Sequence, residues 1–390
     1  MVSSARFFSC FLLLFSLCGA ENVISAPVQE IKVAYLAQEK KQPAALSNLE
    51  AFVKHKGWLG AKLALNDNNT TGQFTGQHYH LEQRIVALDA DVKAVFIDLI
   101  KENYQLIIVN LSAQQLAEIS GLNNQQALLF DVSTRADSLR SQNCLNDVLH
   151  LLPSRAMRAD ALAQYMRKKR WNEWFLVLGN TKEDGLYAEA IRRSAKKFGM
   201  KIVAEKKWLH SFDARRTAQS NVPVFSQVGD YDVLVVADEQ GLFGEYLSYR
   251  TWLPRPVIGT QGLHATAWHK THEQWGAVQI QNRFKALAGR PMLEEDYAAY
   301  LALRSIGEAA TRTKEITAVS VKAFLLSEQF KLQGYKGKPL SFRSWNGQLR
   351  QPVLLAAPTS LVATPPLDGY LHPKNELDTL GYDQPEVHCQ

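Results

Sequence analysis

The feature that most constrains this chain is a pattern of short apolar strands alternating with amphipathic helices, which runs through the first part and then starts again. Apolar residues at every second position predict strands, and apolar residues three or four positions apart predict helices. Parallel strands connected by helices form sheets that are covered on both faces. Because the pattern occurs twice, the sequence predicts an α/β fold of two doubly wound parallel-sheet lobes with a hinge and a central cleft.

The two series meet near residue 150. The first has predicted strands at 30–36, 79–88, 105–109 and 127–132, and predicted helices at 47–68, 92–99 and 112–119. The second has predicted helices at 160–170 and 187–198, and predicted strands at 174–178, 201–205, 231–237 and 257–259. A mostly helical region at 293–328 follows, and Asn346-Gly347 predicts the turn of a late hairpin over 339–357.

A hairpin so late in the chain indicates that the chain crosses between the lobes more than once. We therefore expect an N-terminal lobe built from residues 27–150 and 262–335, and a C-terminal lobe built from residues 151–261 and 336–363. The segment 364–390 is rich in Pro, Gly and Asp, which predicts an irregular tail on the surface.

The first 26 residues have the layout of a secretory signal peptide. One early cation, Arg6, precedes the apolar run 11–15, and small residues follow. Cleavage after Ala20 and cleavage after Ala26 both fit, and we prefer Ala26. The apolar run is too short for a membrane span, which needs about 20 residues. The sequence therefore predicts a soluble protein exported to the periplasm.

Two of the four cysteines, Cys10 and Cys18, lie in the predicted leader. A lipid anchor on Cys18 is an alternative, although Leu17 stands where lipoprotein signals usually have a small residue. Cys144 and Cys389 remain in an oxidising compartment, where disulfides persist. Two interpretations stay open for this pair: a disulfide that attaches the tail to the body, which we favour, or two free thiols.

The formal net charge is +6, and the positive charges are scattered. The densest run, Arg167–Arg170, ends a predicted helix, where cations suit the helix dipole and face solvent. Nothing in this distribution indicates a nucleic-acid partner, and we expect a monomer.

The segment from Gly60 to Gly76 is a predicted helix that leads into a Gly-rich turn. It resembles the type I periplasmic binding proteins, especially the leucine/isoleucine/valine-binding branch. In that family a helix ends in Asp, with Asn three residues on and a Gly-rich turn into the second strand. Asn69, Gly72 and Gly76 match this pattern, and Asn66 stands where the family usually has Asp.

Two further regions carry the resemblance. Residues 161–167, 174–180, 185–187 and 198–199 are similar to the family's entry into its second lobe. The start at 31–39 and the tail at 375–385 resemble a subgroup of ABC-transporter substrate-binding proteins associated with PQQ-dependent catabolism. The resemblance implies a periplasmic protein that binds a small organic solute by hinge closure and delivers it to a permease, near quinoprotein alcohol oxidation. It implies no bound PQQ.

The family's first-lobe loop, Gly-Pro-x-Ser-Ser-like, holds the ligand carboxylate through hydroxyl and backbone N–H groups. Here that place has Asn110 and Ser112, although Ser112 is equally suited to cap the following helix. Ser133, Thr134 and Arg135 end the next predicted strand, and Arg135 is suited to clamp a carboxylate. Ordinary loop polarity is the alternative for these three residues.

In the family, an acidic residue of the second lobe meets the ligand ammonium. This chain has Gln261 at that place, which argues against an ordinary amino acid. Asp184, Asp238 and Glu239 lie on neighbouring loops as substitutes, with simple solvation as the alternative.

Tyr35 and Gln38 follow the first strand and are candidates to line the cleft, because aromatic walls suit small organic ligands. Tyr35 is equally compatible with a place in the core.

Other functions have weaker support. The sequence has no G-x-S-x-G elbow, no H-E-x-x-H pair and no Walker loop, and the segment 271–275 begins like a zinc motif but lacks the second histidine. We therefore expect neither an enzyme nor a cofactor. The alternatives are a periplasmic ligand sensor or a metal-carrying accessory protein of a quinoprotein system. The second would use oxygen and imidazole groups of the tail: His372, Glu376, Asp378, Asp383, Glu386 and His388.

Overall fold

The structure is a computed structural model, and it describes residues 28–41, 53–209 and 218–389. The leader predicted for residues 1–26 lies outside the described residues, as does the first part of the helix predicted over 47–68. Within the described ranges, no helix has both the length and the apolar character needed to cross a bilayer.

The first lobe is built on a five-stranded sheet whose strands are all parallel, in the order β2-β1-β3-β4-β5. The strands are β1 (Gln29–Gln38), β2 (Gln77–Val86), β3 (Leu106–Asn110), β4 (Leu128–Asp131) and β5 (Val148–His150). The connecting helices are α1 (Trp58–Thr75), α2 (Val92–Lys101), α3 (Ala113–Asn123) and the short α4 (Ser138–Ser141). Alternate residues of β1 pack on opposite faces: Val33 and Tyr35 in a core with α1, Ala34 and Leu36 in a core with α2 and α3.

The second lobe repeats this arrangement. Its parallel strands are β6 (Glu173–Leu178), β7 (Lys201–Lys207), β8 (Val233–Ala237), β9 (Val257–Gly259) and β10 (Leu263–Thr266). Its helices are α5 (Arg155–Lys169), α6 (Lys182–Phe198), α7 (Ala218–Phe225) and α8 (Gly244–Leu247). Two separate cores enclose this sheet, one with α5 and α6 and one with α7 and α8.

The chain leaves the second lobe later than the sequence indicates. Strand β10 pairs with β9, so the return to the first lobe follows Thr266 and does not begin at residue 262. The helices α9 (Ala277–Ala288), α10 (Glu294–Thr313) and α11 (Ala318–Leu325) then pack on the first core, and α10 lies along α1.

The late hairpin is also divided between the lobes. A small antiparallel sheet of β11 (Leu332–Gln333), β12 (Pro339–Phe342) and β13 (Leu349–Arg350) packs on the first core, whereas we expected residues from 336 onward in the C-terminal lobe. The apolar side chains of Leu340, Phe342 and Leu349 explain this, because they are buried against the helical region before them. Strands β14 (Leu354–Ala357) and β15 (Ser360–Ala363) then complete the second sheet as antiparallel edge strands.

The helix of the Gly60–Gly76 motif extends to Thr75, beyond the predicted end, and Gly76 closes it with a left-handed φ of 69°. The amide of Asn69 accepts a hydrogen bond from the backbone N–H of Tyr79 and donates one to its carbonyl, at 2.8 and 3.1 Å. A β-carbon at Gly72 would lie 2.1 Å from the carbonyl oxygen of Gln77. The motif therefore fixes α1 against β2.

The tail is more buried than the sequence predicts. It forms short 3₁₀ turns at Glu376–Thr379 and Gln384–Glu386, and Leu380 enters the core of the second lobe. The carboxylate of Asp378 accepts a 2.8 Å hydrogen bond from Nε of Arg343, and both side chains are almost fully buried. A buried guanidinium without an anionic partner is strongly destabilising, so the pairing of Arg343 with Asp378 accounts for the burial of this part of the tail.

A disulfide joins Cys144, in the loop before β5, to Cys389, and the two Cα atoms are 5.1 Å apart. Elsewhere the tail contacts the second lobe, because Asp160 of α5 accepts a 2.9 Å hydrogen bond from the backbone N–H of Gly381. The tail is thus attached to both lobes.

Candidate functional site

The space between the lobes is bounded by the carboxyl ends of the parallel strands, the position at which open α/β sheets bind ligands. Within residues 28–41, 53–209 and 218–389, the chain passes between the lobes three times: between β5 and α5, between β10 and α9, and between β13 and β14. Three crossing segments close together allow hinge motion of one lobe against the other. A ligand held here would contact both lobes.

A group of charged side chains lies at this junction, and we call it the cleft cluster: Arg135, Arg155, Arg158, Glu239 and Glu294. Glu294, at the start of α10, is at its centre. Its carboxylate accepts hydrogen bonds from Arg135 of the first lobe and, at 2.5 Å, from Arg158 of α5 in the second lobe. The side chains of Glu294 and Arg158 are only 12% and 11% exposed. One carboxylate therefore joins guanidinium groups of both lobes.

The same carboxylate also holds the crossing segment after β10. It accepts a 3.0 Å hydrogen bond from the hydroxyl of Thr266 and a 3.1 Å bond from the backbone N–H of Ala267. Arg158 donates to the carbonyl oxygens of Pro153 and Ala265, at 3.3 and 3.0 Å, on two crossing segments. The ion pair is therefore built into the hinge region.

On the second-lobe side, Arg155 and Glu239 form a bidentate pair. Nε and one terminal nitrogen of Arg155 donate to the two carboxylate oxygens at 3.0 and 2.5 Å. Both side chains are about nine-tenths buried, with exposed fractions of 9% and 10%. A guanidinium can bind the carboxylate of a ligand in the same two-bond geometry that Arg155 uses with Glu239.

The charges of the cleft cluster act on one another across the lobes. Burial alone raises the pKa of Glu294, but Arg158 and Arg135 outweigh it and hold that pKa below its usual range. Burial opposes the charge of Arg135 as well, yet the carboxylates of Glu294, Glu295 and Glu239 raise its pKa. Because Glu239 belongs to the second lobe, the electrostatic coupling spans the cleft.

Two first-lobe candidates support a loop. The Tyr35 side chain is fully buried in the core, and its hydroxyl donates a 2.7 Å hydrogen bond to the carbonyl of Lys56. Its interpretation as a cleft wall is therefore wrong. Asn110 donates to the same carbonyl at 2.7 Å and accepts a 3.1 Å hydrogen bond from Nζ of Lys40. Asn110 thus fixes the loop before α1, and its amide oxygen binds the ammonium group.

Gln38 and Ser112 also serve local structure. The amide nitrogen of Gln38 donates to three carbonyls of the turn 87–90, at 3.0–3.2 Å. Ser112 caps α3, accepting a 3.3 Å hydrogen bond from the backbone N–H of Gln115. Ser112 therefore has the capping role, one of the two interpretations of this residue.

The loop after β4 is held by its own polar side chains. The hydroxyl of Ser133 donates to the carbonyl of Leu111 at 2.7 Å and accepts from the N–H of that residue at 3.0 Å. Thr134 is buried and donates to the carboxylate of Asp131. Among the three candidates on this loop, Arg135 is the one that joins the cleft cluster.

Two of the acidic candidates of the second lobe, Asp184 and Asp238, also bind nearby backbone groups. Asp184 closes a capping box at the start of α6 and accepts a 2.8 Å hydrogen bond from the backbone N–H of Glu239. The buried carboxylate of Asp238 accepts hydrogen bonds from three consecutive backbone N–H groups, those of residues 242–244, at 2.7–2.9 Å. Both carboxylates therefore bind backbone N–H groups of their own lobe. Gln261 is half-buried beside Gly244, next to Asp238.

Sequence reasoning missed Arg155, Arg158 and Glu294. A signal was present, because α5 begins with Arg155 and Arg158, cations that the positive end of a helix dipole disfavours. Helix α10 begins with Glu294, Glu295 and Asp296, which the dipole favours. Cations at the wrong end of a helix indicate a partner outside the helix, and here that partner is a carboxylate.

The carboxylates of the proposed metal-binding tail have protein cations as partners. Asp378 pairs with Arg343 and Arg350, Glu376 pairs with Lys338, and Glu386 pairs with Arg193. His272, from the segment that begins like a zinc motif, is buried and contacts the carbonyl oxygen of Tyr335 at 2.6 Å.

Two surface cavities of about 320 and 340 Å³ lie on the first lobe. One is beside Tyr104 and Thr317, and the other is beside Arg84 and Glu102. Neither of these two cavities is lined by a residue of the cleft cluster.

No protein-family model and no curated protein matches this chain. Solved structures do. A leucine-, isoleucine-, valine-, threonine- and alanine-binding protein from Brucella ovis, in a closed conformation, is 17% identical with a TM-score of 0.67, covering 84% of this chain and 90% of that one. A branched-chain amino acid ABC transporter periplasmic ligand-binding protein from Burkholderia xenovorans is 16% identical with a TM-score of 0.68, covering 86% and 95%.

A solute-binding protein of an ABC transporter from Rhodopseudomonas palustris, in complex with 3,4-dihydroxybenzoic acid, is also similar. It is 12% identical with a TM-score of 0.63, and the match covers 86% of this chain and 97% of that one. In all three cases the match covers more than four-fifths of both chains. The chain therefore has the fold of the type I periplasmic binding proteins.

Proposed function

We propose that this protein is the substrate-binding component of an ABC importer and captures a small organic solute between its lobes. The observation that carries the proposal is the cleft cluster, in which guanidinium groups of both lobes meet at a single carboxylate. A charged group at that position interacts with both lobes at once. This is the requirement for a ligand that favours one relative position of the lobes.

The chemistry of the cluster favours a ligand with a carboxylate. Glu239 binds Arg155 in a bidentate pair, and Glu294 binds Arg135 through one terminal nitrogen; an incoming carboxylate would replace either glutamate at its guanidinium. The similar structures named with 3,4-dihydroxybenzoic acid, benzoate, leucine or isoleucine all hold ligands that carry a carboxylate. Gln261, at the place of the family's acidic residue, offers no charge to an ammonium group. We therefore favour an organic acid without an amino group.

The mechanism we propose is hinge closure. The open form admits the solute, contacts from both lobes stabilise the closed form, and the closed form docks on the permease. The ligand shifts this equilibrium only by the difference between its affinities for the two forms. The pair Arg158–Glu294 stays close to the crossing segments and supports the hinge.

The leader predicted in residues 1–26 would deliver the protein to the periplasm, where a monomer would serve the permease. The resemblance of the tail motif at 375–385 supports a link to PQQ-dependent alcohol catabolism. The protein would act as a carrier of such a solute and not as an enzyme.

The test begins with ligand identification. Protein purified from its periplasm is denatured, and the released small molecules are identified by mass spectrometry. Titration calorimetry of the identified acid should then give binding to the wild type, at least a tenfold loss, about 1.4 kcal/mol, in R135A and R155A, and no change in R192A. Arg192 is a matched control, since it pairs with Glu205 on the exposed face of the second lobe. Equal affinity in all four proteins would overturn the assignment of the cleft cluster.

A ligand sensor would use the same cleft, and a genetic experiment separates the two roles. Deletion of the gene should abolish uptake of the radiolabelled acid if the protein serves an importer. Intact uptake with altered gene expression would assign the protein to sensing.

A further inference from the structure

A cluster of metal-ligating side chains lies far from the cleft, at the amino ends of β1 and β2. Glu30 of β1 and His78 and His80 of β2 place a carboxylate oxygen and two ring nitrogens within 4.8 Å of one another. Oε2 of Glu30 lies 3.0 Å from Nδ1 of His78 and 2.6 Å from Nε2 of His80. We propose that this cluster binds a divalent transition-metal ion, with zinc as its representative.

The strand geometry brings the three side chains to one surface. Glu30 and His78 are direct partners in the parallel register, and His80 lies two residues beyond His78, on the same face of the strand. Strand β3 pairs with β1 only from Ala34 onward, so the first residues of β1 and β2 form a two-stranded ribbon that projects beyond the rest of the sheet. The backbone therefore holds all three ligands in place without a loop.

The spacing suits a metal of this class. Zinc bonds of about 2.0–2.1 Å in a tetrahedral site place neighbouring ligand atoms about 3.3 Å apart. The two nitrogen–oxygen distances, 3.0 and 2.6 Å, reach that value with small side-chain rotations. The rings of His78 and His80 are nearly perpendicular, at 85°, with centroids 4.4 Å apart. Their side chains are about half exposed, so an ion has direct access and water completes its coordination.

The charge state also suits a cation. A glutamate carboxylate is anionic at neutral pH, so Glu30 offers a negatively charged ligand. Two imidazoles with one carboxylate favour zinc, copper or nickel over calcium or magnesium, which prefer sites made of oxygen atoms. Lys32, the register partner of His80, is a cation two residues after Glu30 on β1.

Titration calorimetry of the full mature protein with zinc chloride tests the site. We expect one zinc ion per protein, and loss of this binding in the double variant H78A/H80A. The variant E30Q should bind zinc more weakly than the wild type. Calcium chloride should give the same heat with the wild type as with H78A/H80A, because calcium does not use this site. Thermal unfolding of each variant should match the wild type, because the three side chains are exposed.

The control is H388A, which removes an exposed histidine of the tail. Zinc binding should be unchanged in this variant. Undiminished binding in H78A/H80A, or its loss in H388A, would overturn the proposal and place the metal elsewhere. Absence of zinc binding by the wild type would overturn it too. None of these results bears on the organic solute, which binds at the opposite end of the strands.

Discussion

The carboxylate of Glu294 shows how much one residue contributes to the junction of the lobes. In E294Q, Arg135 and Arg158 lose their anionic partner while remaining largely buried. We expect a loss of about 1–3 kcal/mol in the free energy of unfolding, measured by urea denaturation. E205Q is the matched control, because the exposed pair of Glu205 with Arg192 should contribute only about 0–1 kcal/mol. Equal effects of the two substitutions would contradict the role of Glu294.

The pH dependence of Glu294 follows from its lowered pKa. A carboxyl group with a lower pKa in the folded state binds fewer protons there than in the unfolded state. Its contribution to stability is therefore complete above the unfolded pKa of about 4.3 and declines as the pH falls below it. The stability difference between the wild type and E294Q should shrink between neutral pH and about pH 3. A difference that stays constant across this range would contradict the assignment.

At the scale of elements, Asp238 holds the start of the short helix α8 by accepting three backbone N–H groups. D238A should leave these buried donors without a partner and lower the free energy of unfolding by about 1–3 kcal/mol. D230A, at an exposed aspartate paired with Arg255, should change it by less than about 1 kcal/mol. Hydrogen exchange should show the loss of protection concentrated at residues 242–244.

The tail is an element that covalent and ionic contacts hold in place. Free-thiol titration of the denatured, unreduced protein without residues 1–26 should find no reactive thiol, because Cys144 and Cys389 are bonded. The double variant C144S/C389S should lose about 2–4 kcal/mol of stability. Its tail should still resist limited proteolysis, since Arg343 and Asp378 remain paired in the interior. Rapid cleavage of the tail in this variant would show that the disulfide alone holds it.

The sequence predicted the elements well where the period of the apolar residues decides the structure. The four strands predicted before residue 150 lie close to β1 to β4, because apolar periodicity is a local property of the chain, whereas the short strand β5 was not predicted. The end of α1 was misplaced, since contacts of Asn69 and Gly72 with the following strand allow the helix to continue to Thr75. The division of the late hairpin between the lobes depends on burial of Leu340 and Phe342, which no local sequence pattern predicts.

The site was predicted less well than the fold, for a physical reason. Arg158 and Glu294 are 136 residues apart in sequence, and only the folded lobes bring them together. Polar residues at strand ends serve as caps as often as they bind ligands, and Asp184, Asp238 and Ser112 have the capping role. Arg135 and Glu239 were identified because they lie on loops that follow predicted strands, and a guanidinium is suited to clamp a carboxylate.

At the scale of the whole molecule, ligand binding should raise stability through both lobes together. A solute present at 100 times its dissociation constant adds about 2.7 kcal/mol to the free energy of unfolding. Calorimetric scanning should show a single transition that moves to higher temperature with the identified acid. An unchanged transition in the presence of a ligand that binds by calorimetry would mean that the ligand does not contact the folded cleft.

Small-angle X-ray scattering with and without the identified solute tests the central claim, a two-lobed protein that closes on its ligand, most directly. The solute-bound protein should have a smaller radius of gyration than the free protein, and R135A should need a solute concentration at least tenfold higher for the same change. An identical radius of gyration for free and saturated wild-type protein would contradict hinge closure on a solute held between the lobes.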